Sequence, residues 1–284
     1  MTIEKTGTMT IEKVAAALGA VVSGLDLREP LGDHEFEQVR DALTEHQVLF
    51  FRNQDLDDDQ QRAFASRFGT LGVFPVAKLM GSTTDMSYIE DTADSPPDAD
   101  GWHTDITWIA EPPKIAVLNA RIIPEYGGDT LWASLFAAYD ALSPEMQRIC
   151  DGLTVRHTAG PDFLERVSRG REEIVEVIQR EFPPVEHPLV RTHPVSGRRA
   201  LFVAGGFMDQ IVGMHRDESD ALLGYLKRHI ENPNFQVRWH WRSYDVAVWD
   251  EASTNHRALS DHFPQHRMMR RCTIDGDRPF FRAT

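Results

Sequence analysis

The chain has 284 residues, of which 41% are hydrophobic and 26% are charged, as is ordinary for a globular protein. Its net charge of -14 disfavours nucleic acids and anionic membranes as partners. The two cysteines, Cys150 and Cys272, are isolated and lack zinc-ligand spacing, which favours a reducing compartment and no structural zinc. The sequence shows neither a signal-peptide pattern nor a long apolar run. We therefore expect a cytoplasmic protein without membrane association. We expect one domain over residues 1–284.

The first part of the chain is predicted to alternate strands and helices. Residues 20–22 favour a short strand or turn, and residues 34–45 favour a helix. The apolar run at 46–52 is rich in strand-forming residues. Acidic residues before 60–68 and Gly69 after it are typical of the two ends of a helix. MTIEK occurs at positions 1–5 and again at 9–13, and we attach no function to this repeat.

The middle of the chain begins with a polar loop at 92–101 that leads into residues 102–108. A buried strand is predicted over 114–122. Gly127 and Gly128 indicate a turn into residues 129–132. Two helices are predicted next, one at about 134–142 and one that begins at Ser143-Pro144 and stops before Gly152.

The last part of the chain contains a mostly helical insertion, predicted at about 158–190. A hairpin turn at 193–198 leads into a strand at 200–203, and a helix is predicted at 217–232. Strands at 244–250 and 267–274 complete the prediction. Short strands with helices beside them indicate a mainly β fold with flanking helices (α+β), built on a β-sandwich or barrel.

His103-Thr-Asp105 places an imidazole and a carboxylate two residues apart. On a strand, both side chains would point to the same face and could converge on one point. Two imidazoles and one carboxylate, with open coordination positions, are typical of non-haem iron(II) oxygenases. However, a chain with 12 histidines can contain this pattern by chance. A second example, His215-Arg-Asp217, precedes a predicted helix, where Asp217 is better explained as an N-terminal cap.

The last predicted strand carries arginines at alternate positions. Arg267 and Arg271 are expected on one face with Met269 and Thr273. Two inward-facing guanidinium groups need an anionic partner, and a dicarboxylate would supply it through paired hydrogen bonds. The alternative is a basic strand end that faces solvent and includes the neighbouring Arg270.

Several motifs that occur in a consistent order resemble the taurine dioxygenase family. The resemblance runs from about Leu43 to Phe281. It implies a double-stranded β-helix (jelly-roll) core that binds iron(II) and 2-oxoglutarate and uses O2. The motifs are Trp102-His103-Thr-Asp105, Gly127-Gly-Asp-Thr130-Leu-Trp132, Arg191-Thr-His-Pro-Val-Ser-Gly197, Gln236-Val-Arg-Trp239, Val248-Trp-Asp250 through His256 to Arg267 and Arg271, and Gly276-Asp-Arg-Pro-Phe-Phe281.

The resemblance also implies roles for individual residues. His103, Asp105 and His256 correspond to the iron ligands, which are the catalytic centre. Thr130 and Arg267 correspond to the residues that hold the distal carboxylate of 2-oxoglutarate. Members of such families are often dimers or tetramers, so we expect a homo-oligomer.

The substrate pocket is the part where the sequence departs from the taurine enzyme. Arg271 corresponds to an arginine near the substrate anion, and Phe163 and Phe207 correspond to aromatic walls, although Phe163 could equally be a helix-packing residue. Phe74, Ala77 and Ala99 replace polar residues that recognise taurine, with Phe74 now lining the pocket. An amine would have no hydrogen-bond partners there, which costs on the order of several kcal/mol.

These replacements favour a small anionic substrate other than taurine, namely an alkyl or aryl sulfonate or a sulfate ester. The resemblance implies hydroxylation of the carbon next to the anionic group, giving an aldehyde with sulfite or sulfate, together with succinate and CO2. Two alternatives remain open at this point. Arg271 would serve a carboxylate substrate, such as an aryloxyacetate or an amino-acid derivative, equally well. The chain could also be a metal-binding protein without turnover.

Overall fold

The computed structural model describes residues 9–97 and 101–283. Within these ranges the chain forms eight α-helices, fifteen β-strands and two short 3-10 helices. The helices are α1 (Asp33–His46), α2 (Asp58–Ser66), α3 (Pro75–Leu79), α4 (Leu135–Asp140), α5 (Pro144–Cys150), α6 (Pro161–Ser168), α7 (Glu172–Glu181) and α8 (Arg216–Ile230), and the 3-10 helices are Gly205–Phe207 and Pro233–Phe235. The strands are β1 (Thr10–Lys13), β2 (Ala20–Ser23), β3 (Val48–Phe51), β4 (Ser87–Asp91), β5 (Ile115–Ile122), β6 (Thr130–Ser134), β7 (Thr154–His157), β8 (Val185–Pro188), β9 (Val190–Thr192), β10 (Arg199–Leu201), β11 (Met208–Ile211), β12 (Gln236–Trp239), β13 (Val246–Asp250), β14 (Thr254–Ala258) and β15 (Arg267–Ile274).

The largest sheet has seven strands in the order β1-β2-β3-β13-β5-β15-β4, and β12-β6-β14 form a second, antiparallel sheet. Aromatic and aliphatic side chains from both sheets share one core cluster, which includes Phe50, Trp132, Trp239 and Trp249. This pairing of two sheets, with helices beside them, is the predicted jelly-roll core. The two smaller sheets, β11-β7-β8 and β10-β9, extend the strand content beyond it.

The strand β3 shows why its sequence has no polar face. All four of its residues are buried. Val48 and Phe50 point into the core between the sheets, whereas Leu49 and Phe51 pack in the cluster that includes helix residues Phe36 and Phe64. Because successive side chains in a strand point to opposite faces, a strand that is covered on both faces becomes an unbroken apolar run.

Most predicted elements are present, with ends within a few residues of the expected positions. The strand at 267–274 is β15, and Ser143 accepts a hydrogen bond from the Met146 amide at the start of α5 as expected. One cap prediction was wrong. The residue before α8 is His215, whose backbone amide donates to Glu218 at 2.9 Å, and Asp217 lies in the first turn.

The region predicted as a mostly helical insertion contains α6, α7 and the strand β8. This insertion contributes to a buried cluster, because Ile178 is 1% exposed and packs with Ile106 and Trp108.

The single-domain organisation and its boundaries stay a prediction. The first copy of MTIEK, at 1–5, and Ala99 lie outside the described residues, whereas β1 comes from the second copy. Among the described helices none has the length and apolar character required to cross a bilayer.

Candidate functional site

The three predicted metal ligands come together where two distant segments meet. His103 and His256 form an isolated bridge in which each backbone amide donates to the carbonyl of the other, at 2.9 and 2.8 Å. Asp105 does not continue this bridge as a strand, which corrects the geometric basis of our expectation. It lies in a turn in which Ile106 has a φ of 52°. The turn, rather than strand alternation, brings the carboxylate beside the imidazoles.

The ligand atoms of His103, Asp105 and His256 all lie within 4.8 Å of one another. Asp105 Oδ1 is 3.6 Å from His103 Nε2 and 3.9 Å from His256 Nε2. His103 Nδ1 lies 2.8 Å from the Gly101 carbonyl oxygen. Because a carbonyl only accepts, Nδ1 carries the proton and Nε2 keeps its lone pair for a metal.

The charge states of this cluster also suit a metal ion. Burial would raise the pKa of Asp105, but Arg271 and the two histidines lower it below its usual range, so the carboxylate is ionised. Burial, followed by the neighbouring His103, lowers the pKa of His256, which keeps its imidazole neutral. Two neutral imidazoles and one carboxylate are the donor set that iron(II) oxygenases use, and a three-residue set leaves positions for other ligands. The residues therefore fit the predicted metal.

Glu251 binds the backbone of the metal-ligand turn and was not predicted from the sequence. Its Oε2 accepts from the Asp105 amide at 3.1 Å, and its Oε1 accepts from the Trp249 indole at 2.6 Å. Burial, with Asp105 as the next cause, raises the pKa of Glu251 well above its usual value. Its position directly after Val248-Trp249-Asp250 was the available signal, but a single glutamate has no pattern that distinguishes it.

Arg271 lies at the metal-ligand cluster. Its Nη1 donates to Asp105 Oδ2 at 2.8 Å, and its buried Nε has no hydrogen-bond partner among the described residues. The alternative of a solvent-facing basic strand end is wrong for the neighbouring Arg270. That side chain is 6% exposed, pairs with Asp58 and donates to Asn119.

Thr130 and Arg267, the predicted carboxylate-binding pair, are both buried. The Thr130 hydroxyl accepts a hydrogen bond from the Trp241 indole at 2.9 Å, so its own proton is available to a ligand. Arg267 Nε donates to the Gly128 carbonyl at 3.1 Å. A Cβ on Gly128 would lie 3.0 Å from the Arg267 side chain, so the glycine allows this close approach. Burial lowers the pKa of Arg267, which Asp91 and Asp129 oppose.

The three predicted wall residues lie in one aromatic cluster. The ring of Phe163 on α6 is 6.3 Å from that of Phe74 and 6.0 Å from that of Phe207. Trp108, which follows the metal-ligand turn, is 5.4 Å from Phe163. A Cβ on Gly205 would lie 2.1 Å from the Trp102 carbonyl oxygen, so the segment before Phe207 packs directly against the chain that leads into His103.

The arrangement combines an aromatic wall, a cationic side chain and a set of three metal-ligating residues. The family model described as "Taurine catabolism dioxygenase TauD, TfdA family" matches residues 10–273. The chain belongs to this family. The predicted fold and enzyme class, an iron(II)- and 2-oxoglutarate-dependent dioxygenase, are therefore confirmed.

Three of the relatives are named for activity on a sulfate ester or on an aryloxyacetate. An alkylsulfatase of Acinetobacter baylyi is 34% identical, covering 96% of this chain and 86% of its own. An α-ketoglutarate-dependent sulfate ester dioxygenase of Pseudomonas putida is 32% identical, covering 95% and 91%. An α-ketoglutarate-dependent 2,4-dichlorophenoxyacetate dioxygenase of Cupriavidus pinatubonensis is 33% identical, covering 91% and 94%.

Two solved structures agree with the fold over nearly the whole chain. A putative α-ketoglutarate-dependent taurine dioxygenase from Burkholderia xenovorans superposes with a TM-score of 0.82 at 35% identity, covering 96% of this chain and 92% of its own. AAD-2, in complex with Mn(II) and N-oxalylglycine, gives a TM-score of 0.81 at 32% identity, covering 97% and 100%. The expected homo-oligomer and cytoplasmic location stay predictions.

Proposed function

We propose that the chain oxidises an alkyl sulfate ester, using iron(II) held by His103, Asp105 and His256. The observation that carries this proposal is a cationic side chain, Arg271, bound to Asp105, whose turn continues into Ile106 and Trp108 of the aromatic cluster. An anion is attracted to the arginine, and an apolar chain is favoured against the rings. The sulfate-ester activities named for two relatives support the same substrate class.

We assign the distal carboxylate of 2-oxoglutarate to Thr130 and Arg267. Both side chains are buried, and each has hydrogen-bond donors that no described residue uses: the Thr130 hydroxyl proton and the terminal nitrogens of Arg267. A guanidinium group and a hydroxyl together satisfy a carboxylate with charge-assisted hydrogen bonds. The far end of the co-substrate is thereby held, which orients its keto acid end.

When bound, iron(II) supplies the oxygen chemistry, in which 2-oxoglutarate becomes succinate and CO2 and one oxygen atom enters a substrate C–H bond. The chain's own residues place that C–H bond. Arg271 attracts the sulfate, so that the carbon bearing the ester oxygen lies nearest the metal ligands. Once that carbon carries a hydroxyl group, loss of the hydroxyl proton and cleavage of the bond between carbon and ester oxygen give an aldehyde and sulfate.

The aromatic wall determines which organic groups are accepted. Phe74, Phe163 and Phe207 offer no hydrogen-bonding atoms from their side chains, and Ala77 on α3 is equally apolar. An amine such as that of taurine would lose its water there without new partners. An alkyl chain instead gains about 0.8 kcal/mol for each buried methylene group.

A carboxylate substrate is the second candidate, and Arg271 is the observation that favours it. Guanidinium binds carboxylate and sulfate with similar geometry. The named dichlorophenoxyacetate activity of one relative agrees with this candidate. Sulfonates belong to the same anionic class and are included in the test below.

The test measures succinate, sulfate and sulfite from the iron(II)-loaded enzyme with 2-oxoglutarate and a panel of anions. The panel contains alkyl sulfates of increasing length, alkylsulfonates, taurine and aryloxyacetates. We expect equal amounts of succinate and sulfate with alkyl sulfates, and no taurine-dependent product. Coupled turnover with aryloxyacetates alone would replace the proposal with the second candidate. Omission of iron(II) is the control, and it should abolish all products.

A further inference from the structure

A buried acid and a buried histidine lie beside the arginine assigned to the co-substrate carboxylate. Asp91 ends β4 directly opposite Arg267 of β15, and its Oδ2 is 3.9 Å from Arg267 Nη1. His262 Nε2 lies 3.2 Å from the same oxygen. The side chain of His262 is 1% exposed, and neither ring nitrogen has a hydrogen-bond partner among the described residues.

The loop that carries His262 is fixed against the turn before Thr130. The Gly128 amide donates to Asp261 Oδ1 at 2.8 Å, and a Cβ on Gly127 would lie 2.8 Å from the His262 backbone nitrogen. Gly127 and Gly128 have φ values of 74° and 70°, a conformation that side chains rarely adopt. The close contact and the positive φ together require glycine, so His262 has a defined place behind the carboxylate-binding pair.

The charges around Thr130 and Arg267 are nearly balanced before any ligand enters. Arg267 is offset by Asp91. Asp129, which also acts on Arg267, is itself satisfied by Arg238 at 2.7 Å and by His240 at 2.9 Å. Asp261 faces Arg238 at 3.9 Å from the loop side. A carboxylate that arrives at Arg267 therefore adds a negative charge that the present groups do not offset, in a region shielded from water.

Protonation of His262 would remove this imbalance. His262 lies next to Asp91, which would have to share Arg267 with the carboxylate of the co-substrate. The added negative charge favours the charged form of the imidazole. We propose that Asp91 and His262 are positioning residues for the distal carboxylate of the co-substrate, and that 2-oxoglutarate binding is accompanied by the uptake of one proton on this pair. The inference rests on the co-substrate part of the proposed function and not on the identity of the oxidised substrate.

Proton uptake and affinity can be measured without turnover. The Mn(II)-loaded full chain is titrated with 2-oxoglutarate in a calorimeter, in buffers of different ionisation enthalpy and between about pH 6 and about pH 8, the range in which imidazoles change charge. We expect uptake approaching one proton, and affinity that weakens by up to about tenfold per pH unit as the pH rises, because the two effects are linked. Binding without proton uptake by the wild-type chain would overturn the proposal.

Two substitutions separate this role from a packing role. In His262→Gln the uptake should disappear and affinity at low pH should fall by about tenfold, since no proton can offset the added charge. In Asp91→Asn the uptake should also disappear, but affinity at high pH should rise, because the competing carboxylate is gone. Packing roles alone would weaken binding in both variants. Uptake that persists in His262→Gln would place the proton elsewhere and refute the assignment.

The chain offers a matched control. His266 also contacts an acid next to Asp91, with Nε2 2.8 Å from Glu90 Oε1, but both side chains are nearly half exposed. His266→Gln should bind 2-oxoglutarate with the affinity and proton uptake of the wild type, because water screens its charge. Since these measurements use no sulfate ester, a failure of the substrate proposal leaves their outcome interpretable, and the reverse also holds.

Discussion

The two halves of the candidate site are built from different parts of the fold. The half assigned to the metal and co-substrate lies largely on strands of the core, with Thr130 on β6, His256 on β14 and Arg267 on β15. Apart from Arg271 on β15, the half assigned to the substrate comes from helices and connecting segments, including Phe163 on α6 and Phe74 just before α3. Strands that share a packed core fix side-chain positions closely, whereas loops and short helices change more freely. One co-substrate and many substrates can therefore share one architecture.

Removal of a metal ligand should have the largest effect, because it affects both halves at once. His103→Ala should lower iron(II) affinity and reduce turnover by about a thousandfold or more, which corresponds to about 4 kcal/mol. Metal affinity measured by anaerobic titration, with succinate formation, tests this. His215→Ala is the control, since exposed His215 belongs to the other His-x-Asp sequence and should keep wild-type affinity. Unchanged metal binding in His103→Ala would contradict the assignment of the metal site.

Arg267→Met should break the co-substrate half alone. Removal of a buried charged partner costs about 2–5 kcal/mol, so 2-oxoglutarate affinity should fall at least about thirtyfold. The metal affinity and the preference among substrates should remain. Binding of 2-oxoglutarate to the Mn(II)-loaded protein measures the affinity for the co-substrate, and competition between two alkyl sulfates measures the preference among substrates. A change of substrate preference without loss of 2-oxoglutarate affinity would reverse our assignment of the two halves.

Phe163→Ala should break the substrate half alone. Loss of part of the aromatic wall should raise KM for long alkyl sulfates by about tenfold, on the order of 1.4 kcal/mol of apolar contact, with less effect on short ones. The affinity for 2-oxoglutarate should not change. If KM is the same for all chain lengths, Phe163 is a helix-packing residue, and the reduced melting temperature of the variant would report that role.

The smallest expected effect is on the pH dependence of stability, and it comes from the buried His157. Burial lowers the pKa of His157 well below its usual value, and its Nδ1 lies 2.9 Å from the Thr107 hydroxyl. The unfolded chain then binds more protons at acid pH, so this contribution is complete above about pH 6.5 and is lost as the pH falls. His157→Gln should reduce the acid destabilisation by about 1 kcal/mol at about pH 5.5, or about 2–4 °C in Tm. The exposed His34→Gln should retain the full wild-type slope.

The same division explains what the sequence could predict. Apolar runs such as β3 and helix ends such as Ser143-Pro144 are local signals, and they located the core elements well. The metal ligands and Arg267 belong to motifs that also revealed the family. By contrast, Glu251 and His262 are single polar residues that act on Asp105 and Asp91, far away in the chain, so no local pattern indicates them.

Strand alternation held along β15 and failed at Asp105. Arg270 lies between two positions expected on the ligand face, and it points to the other face, where it is buried against Asp58 on α2. The turn that carries Asp105 was missed, because Ile106 adopts a left-handed φ without being a glycine.

The reciprocal hydrogen bonds between His103 and His256 have a consequence for protein engineering. These bonds join main-chain atoms, so they do not depend on which side chains the two positions carry. A library that exchanges the ligand residues should keep the backbone scaffold of the centre while altering its chemistry. Shortening Asp105 to alanine, for example, would give a two-histidine centre with a vacant site for an added small-molecule ligand. The main chain thus offers a template for artificial metalloenzymes with reactivities that the natural donor set does not support.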